Sequence, residues 1–217
     1  MLAYCIADQQ KQIDIPDTGV EGAPIRWIDM AALRCFVSDF GVQMPRERVP
    51  EMVKVFNEVL QRIFAQTSII PFRFPTIVES EAALREFVES RSAEYRSALH
   101  RLRDKVQMDV RIIMKPDQAE RSPRSGKAYL QQRSALHREA QSILEEFRRV
   151  SHSVAEEWAQ GDAPGGIRAF ALIERSSLPI FLEKIAKVLV PAGISARVTG
   201  PWPPSEFMES PMKKPHE

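Results

Sequence analysis

The run Gly200-Pro201-Trp202-Pro203-Pro204-Ser205-Glu206-Phe207 follows directly on an alternating stretch, Ile194-Ser195-Ala196-Arg197-Val198-Thr199. Three prolines lock φ and withdraw three backbone donors. Each also drives the residue before it out of the helical region. The segment is predicted to leave a strand as a rigid, extended ribbon that presents Trp202 and Phe207. A second segment of the same kind, Ser68-Ile69-Ile70-Pro71-Phe72-Arg73-Phe74-Pro75-Thr76-Ile77-Val78, is apolar and strand-like. Pro71 and Pro75 bar it from a central ladder position along its whole length.

Hydrophobic periodicity places the remaining elements. Residues 1–7 read as a strand, 8–22 as a polar surface loop, and 24–28 and 33–38 as two short strands about a turn at 29–32. Val49, Met52, Val53, Phe56, Val59, Leu60 and Ile63 recur at helical spacing, so that face must be buried, and Pro50 suits the first turn. A further helical pattern covers 79–104 and is broken at Arg91, where an apolar residue is due. A kink or a partner carboxylate is expected there. Val106, Met108, Val110, Ile112 and Met114 alternate with polar positions as a half-buried strand, and 115–127 form a polar break. One long helix is predicted from about 128 to 160, ended by Gly161-Asp162-Ala163-Pro164-Gly165-Gly166. A strand at 167–173, a short amphipathic helix at 177–190 and a strand at 194–199 complete the chain. Strands and helices are mixed, which indicates an α+β protein. Two small domains are expected, 1–104 and 105–209, the second α+β with a long helix, followed by a disordered tail at 210–217. No internal repeat is visible.

The chain of 217 residues has a net charge of +1, so no overall field draws it to nucleic acid or to an anionic membrane. Its two cysteines, Cys5 and Cys35, fall in predicted strands and are expected to be buried as small hydrophobes. Residues 1–7 are too short for a secretory core. No run approaches the ~18 apolar residues of a membrane helix, and a cytoplasmic location is expected.

Chemistry-bearing motifs are sparse. There is no Gly-x-Ser-x-Gly elbow. His100 with Asp104 and His152 with Glu156 each offer at most two ligands, where a functional zinc site takes three or four; His137 and His216 stand apart. Ser125-Gly126-Lys127 lacks the upstream glycine of a phosphate loop and carries Ala128 in place of the metal-binding hydroxyl. The reading is therefore of a non-enzyme without catalytic residues, cofactor or metal. The basic loop holding Arg121, Arg124 and Lys127 leads into a helix N-terminus and supports one alternative, a small-ligand or anion-binding module.

Two features remain. Arg73 lies between Phe72 and Phe74, and a buried guanidinium must find a carboxylate or turn away; a structural ion pair is the default expectation and partner contact the other. Trp202 and Phe207 either pack back onto the last sheet or serve as exposed anchors for a partner.

These segments carry a resemblance. The opening Tyr4-Cys5-Ile6-Ala7, Ala32-Leu33-Arg34-Cys35-Phe36-Val37-Ser38, Phe56-Asn57-Glu58-Val59-Leu60, Ile69 to Thr76, Gly126-Lys127-Ala128-Tyr129-Leu130 and Gly200-Pro201-Trp202-Pro203-Pro204 resemble the gas vesicle protein F/L family (GvpF/GvpL) over nearly the whole chain. The sequence departs from the family pattern at Phe56, where His is frequent, at Pro75, where Gly is, and near Ser205 and Glu206, where Tyr is. The resemblance implies a modified ferredoxin-like α+β first domain and an accessory or minor structural role in building the gas vesicle. It also implies partners among the small hydrophobic shell protein and other accessory proteins. Trp202, Pro203, Phe207, Phe72, Arg73 and Phe74 are the residues expected to form or support the contact surface, at the gas vesicle or in the cytoplasm.

Overall fold

The computed structural model describes residues 1–9, 12–41, 45–114, 126–161, 163, 165–191 and 193–208, with the backbone alone at 126–130 and 132. The described residues divide into two compact units, Met1–Asp104 together with Met208, and Lys105–Phe207.

The first unit is built on four strands, β1 (Leu2–Asp8), β2 (Ile25–Met30), β3 (Leu33–Ser38) and β4 (Ile69–Pro71), in the antiparallel order β2-β3-β1-β4. Helix α1 (Val49–Phe64) precedes β4, and α2 (Glu81–Glu89) and α3 (Ser92–Arg101) follow it. Helices cover both faces, which is why Leu2 to Ala7 are all fully buried and read as an unbroken apolar run. One face carries Ala3, Ile6, Ile28, Met30, Leu33, Cys35, Val37 and Ile70 against Leu84, Val88 and Leu99. Met208 also packs on that core. The three-residue step from Ala3 to Ile6 on one face follows from a register shift between Ala3 and Cys5 in the pairing with β3. On the other face the Tyr4 ring stacks on Phe56 of α1 with centroids 5.1 Å apart.

The segment between β1 and β2 is more than a surface loop. Val20 is fully buried and Ile13 nearly so. The Val20 N–H donates to the Tyr4 hydroxyl at 3.0 Å, and that hydroxyl also meets Ser38 Oγ at 3.0 Å. Gly19 lies so close that a Cβ there would stand 2.1 Å from the Tyr4 oxygen. At its other end Gln66 brackets Asp14, accepting from its N–H at 2.8 Å and donating to its carbonyl at 2.7 Å.

Arg91 does interrupt the second helical pattern: α2 and α3 meet there, and Arg91 adopts non-helical angles. Ser80 caps α2 by accepting from the Ala83 N–H at 3.1 Å. Both cysteines are buried and unpaired, and burial pushes the Cys35 thiol up to about 12 and that of Cys5 well above its usual value. Thiols held protonated in this way are inert.

Across the β2–β3 hairpin Arg34 grips Asp29 with two bonds, Nε to Oδ1 at 2.7 Å and Nη2 to Oδ2 at 3.0 Å. These bonds hold the Asp29 carboxyl below its ordinary value. A depressed folded-state pKa contributes stability above the unfolded value, and that contribution is lost as pH falls through the folded one. The pair is partly exposed, so Asp29→Asn should cost no more than about 1 kcal/mol at neutral pH. The gap from wild type should narrow on acidification below the ordinary carboxylate range. Urea denaturation of both proteins at neutral and acidic pH checks this; a gap that widens in acid contradicts it.

The second unit carries β5 (Lys105–Met114), α4 (Gly126–Ser151), β6 (Ala155–Gly161), β7 (Gly166–Glu174), α5 (Leu178–Ile185) and β8 (Ile194–Trp202). Its antiparallel sheet runs β6-β7-β5-β8. This corrects the long-helix expectation: the helix stops at Ser151, and 155–161 form an edge strand. Ser151 Oγ turns back to the Phe147 carbonyl at 2.7 Å, and Lys105 at the start of β5 pairs with Glu156. The element order β-α-β-β-α-β with this strand order is the ferredoxin-like arrangement. The first sheet has the same relative order, with a loop in place of the first crossover helix. The two units therefore repeat one topology that the sequence does not display.

Ala140, Ile143, Leu144 and Phe147 of α4 and Phe181 and Ile185 of α5 are buried. Trp158, aligned with Ala171 and Met108, lies under Arg148 of α4 at 5.9 Å, so that face of the sheet is the helix-covered one. Val106, Met108, Val110 and Ile112 point to it, and Gln107, Asp109, Arg111 and Ile113 to the opposite face.

Candidate partner-binding surfaces

In the first unit β4 is an edge strand, as its prolines require. The chain continues beside β1 beyond Pro71: the Phe72 N–H donates to the Tyr4 carbonyl at 2.8 Å and the Ala3 N–H to the Thr76 carbonyl at 2.9 Å. The two phenylalanines straddle this edge. Phe72 packs on the α2–α3 core with Phe87 at 6.3 Å, and Phe74 meets Phe56 edge to face at 5.3 Å on the α1 side. Both are half-buried, and Arg73 between them is exposed. The expected structural ion pair is therefore corrected: Arg73 escapes the cost of burial by reaching solvent. Ile77 and Phe87 add exposed apolar area nearby, with Arg91 lying over the Phe87 ring at 4.5 Å.

In the second unit the proline-rich ribbon does not run out into solvent. Thr199 pairs with Asp109 and Trp202 with Gln107, so Gly200 and Pro201 together oppose Met108. This is a β-bulge, and Gly200 takes φ +136° within it. After Trp202 the chain makes a helical turn at Ser205–Phe207, and the Glu206 N–H donates to Gln107 Oε1 at 3.0 Å. Pro203 and Pro204 are buried and Phe207 is only 6% exposed. Of the two aromatic residues of the ribbon, Trp202 remains open, at 38%. Phe207 and Pro203 are thus packing residues that fix the ribbon, which bears out for Phe207 the alternative of packing back onto the last sheet.

A third surface was not singled out in the sequence. Helix α5 buries Phe181 and Ile185 but holds Ile180 and Leu182 about half exposed, and beyond it Leu189 is 91% exposed with Val190 beside it. A helix apolar on more than its core side presents an unfilled contact surface. The signal was available in the nearly continuous apolar run 178–190, interrupted by Glu183, Lys184 and Lys187.

Arg121 and Arg124 of the basic loop lie outside the described residues, as does His216. His100, His137 and His152 are exposed. Among the described residues no three His, Cys, Asp or Glu side chains cluster as a metal site, and no helix is long and apolar enough to cross a membrane.

Comparison with solved structures matches the whole chain. The crystal structure of the gas vesicle protein GvpF from Anabaena sp. PCC7120 superposes with a TM-score of 0.78 at 15% identity, covering 100% of this chain and 98% of the other. That of GvpF from Microcystis aeruginosa superposes with a TM-score of 0.76 at 13% identity, covering 96% of this chain and 98% of the other. At such identities the likeness speaks for the fold. No curated protein sequence matches the chain. The sequence pattern of the family described as gas vesicle synthesis protein GvpL/GvpF matches residues 1–209. With that match spanning both units, the chain belongs to the GvpL/GvpF family of gas vesicle synthesis proteins.

Proposed function

We propose that this protein is a non-catalytic accessory of gas vesicle assembly that binds the small hydrophobic shell protein, and with it other accessory proteins, in the cytoplasm or at the growing vesicle. The observation that carries the reading is the apolar surface held open on α5 and the segment after it, Ile180, Leu182, Leu189 and Val190. A shell subunit exposes apolar surface before it joins a wall. A protein that covers that surface reversibly needs apolar side chains of its own on a rigid, polar-rimmed scaffold. Trp202 supplies an aromatic anchor, with Pro203 and Phe207 fixing its backbone. Phe72 and Phe74 stiffen the edge from which Arg73 projects.

Deleting the gene in its host tests the role: gas vesicles should vanish or stay immature in electron micrographs, and vesicles of normal number and shape would overturn the reading. Trp202→Ala should leave folding nearly intact, since its ring is substantially exposed. Truncating an aromatic anchor costs at least about 2 kcal/mol of binding, about thirtyfold in affinity. Calorimetric titration with a soluble fragment of the shell protein reads this, and a change below about twofold would remove Trp202 from the contact.

A further inference from the structure

We infer that the face of the second sheet turned away from its helices carries a second docking site, one for an acidic segment of a partner protein. Arg111 on β5 pairs directly with Arg168 on β7 and with Arg197 on β8. Directly paired residues on neighbouring strands put their Cβ atoms about 5 Å apart on one face, where like charges destabilise. Three arginine side chains therefore leave the same face abreast on three neighbouring strands. Asp109 answers two of them: its Oδ2 lies 2.7 Å from Arg168 Nη2 and 3.5 Å from Arg111 Nε. Asp109 is buried, and its Oδ1 has no partner among the described residues. Arg111 remains about half exposed and Arg197 is exposed.

Protection of a sheet edge accounts for a charge on β8, which is an edge strand. It does not account for Arg111, since β5 lies inside the sheet with β7 and β8 on either side. The positive charge of the row that Asp109 leaves unbalanced is a standing cost in the free protein, and carboxylates delivered to Arg111 and Arg197 relieve it through charge-assisted, bidentate bonds. Ile113, 47% exposed and one step along the same face opposite Ser195, gives the partner an apolar contact beside its acidic one. The chemistry favours a polypeptide over a nucleic acid. Asp109 sits next to the row on the same face, the negative charge of Glu206 acts on Arg168, and the whole chain carries only +1. A continuous phosphate backbone meets repulsion there, whereas separate carboxylates address separate arginines.

The test is fluorescence anisotropy of the full chain with a fluorescein-labelled hexaglutamate peptide, and with a labelled oligothymidylate as the competing class, at about 150 mM salt. The wild type should bind hexaglutamate, and Arg111→Gln with Arg197→Gln should weaken it at least about tenfold. The exposed pair Arg46→Gln with Arg96→Gln, which removes the same net charge elsewhere, should change it less than about twofold. The Arg111/Arg197 variant should also melt no lower than wild type, because it relieves repulsion. Absence of hexaglutamate binding, an equal loss in the control pair, tighter binding of oligothymidylate, or a lowered melting temperature in the Arg111/Arg197 variant would each overturn the proposal.

Discussion

Replacing Phe56 with alanine should destabilise the first unit by about 4 kcal/mol, the usual cost of truncating a buried phenylalanine. Its ring is 2% exposed and joins three parts of the fold. It stacks on Tyr4 of β1 at 5.1 Å and meets Phe74 of the edge segment at 5.3 Å. Tyr4 in turn holds the Val20 N–H, so the loop that stands where a crossover helix would be depends on the same cluster. A domain of this size has about 5–15 kcal/mol in total, and a loss of this order leaves it marginal. Urea denaturation should show a large fall in midpoint, and hydrogen exchange should show loosening at Val20 and along 72–76. A cost below about 1 kcal/mol, the scale of a surface change, would mean that the aromatic cluster is not the centre of that unit.

Gly200→Ala should cost the second unit about 3 kcal/mol, from two sources that a control separates. The φ of +136° is nearly closed to residues with a Cβ, a strain of about 1–3 kcal/mol. A Cβ there would also lie 2.8 Å from Met108 Sδ and 2.9 Å from the Gln107 carbonyl oxygen. The sulfur end can shift, but the carbonyl belongs to the central strand, and overpacking of this kind adds about 1–3 kcal/mol. Gly193, at φ +88° with nothing within 4 Å of its virtual Cβ, carries the backbone part alone. Gly193→Ala should therefore cost about 1 kcal/mol. Equal effects at the two positions would show that the bulge tolerates a side chain. The Gly200 change should also move Trp202, whose emission spectrum would report it.

The path from sequence to structure was clearest where local pattern and tertiary context agreed. Pro71 and Pro75 excluded a central ladder position, and β4 is an edge strand. Arg91 broke the helical stripe, and α2 gives way to α3 there. The helix of Val49 to Phe64 followed from its apolar spacing and Pro50. Strand β6 was hidden because Val150, Val154 and Trp158 keep helical spacing across the turn after Ser151, and an edge strand as polar as Ala155-Glu156-Glu157-Trp158 has little alternation to display. With β6 absorbed into the helix, the ferredoxin-like order of the second unit could not emerge, and neither could the topology shared by the two units. For Phe207 the sequence left two readings open, packing onto the last sheet or an exposed anchor, and its 6% exposure bears out the first; the bond from the Glu206 N–H to Gln107, 99 residues away, is one that no local spacing shows. The α5 surface was missed for the opposite reason: an apolar run reads as core, and only the fold shows that Ile180 and Leu182 turn outward while Phe181 and Ile185 turn in. The row of arginines depends entirely on register, which aligns positions 111, 168 and 197 across three strands.

The most direct measurement of the proposed role is co-purification of this chain with the small gas vesicle shell protein expressed alongside it. The wild type should keep the shell protein in solution and bring it through affinity and size-exclusion steps. A folded variant carrying Trp202→Ala, Ile180→Ser and Leu182→Ser should leave it in the insoluble fraction. A folded wild type that fails to retain the shell protein, or a folded variant that retains it equally well, would contradict the account.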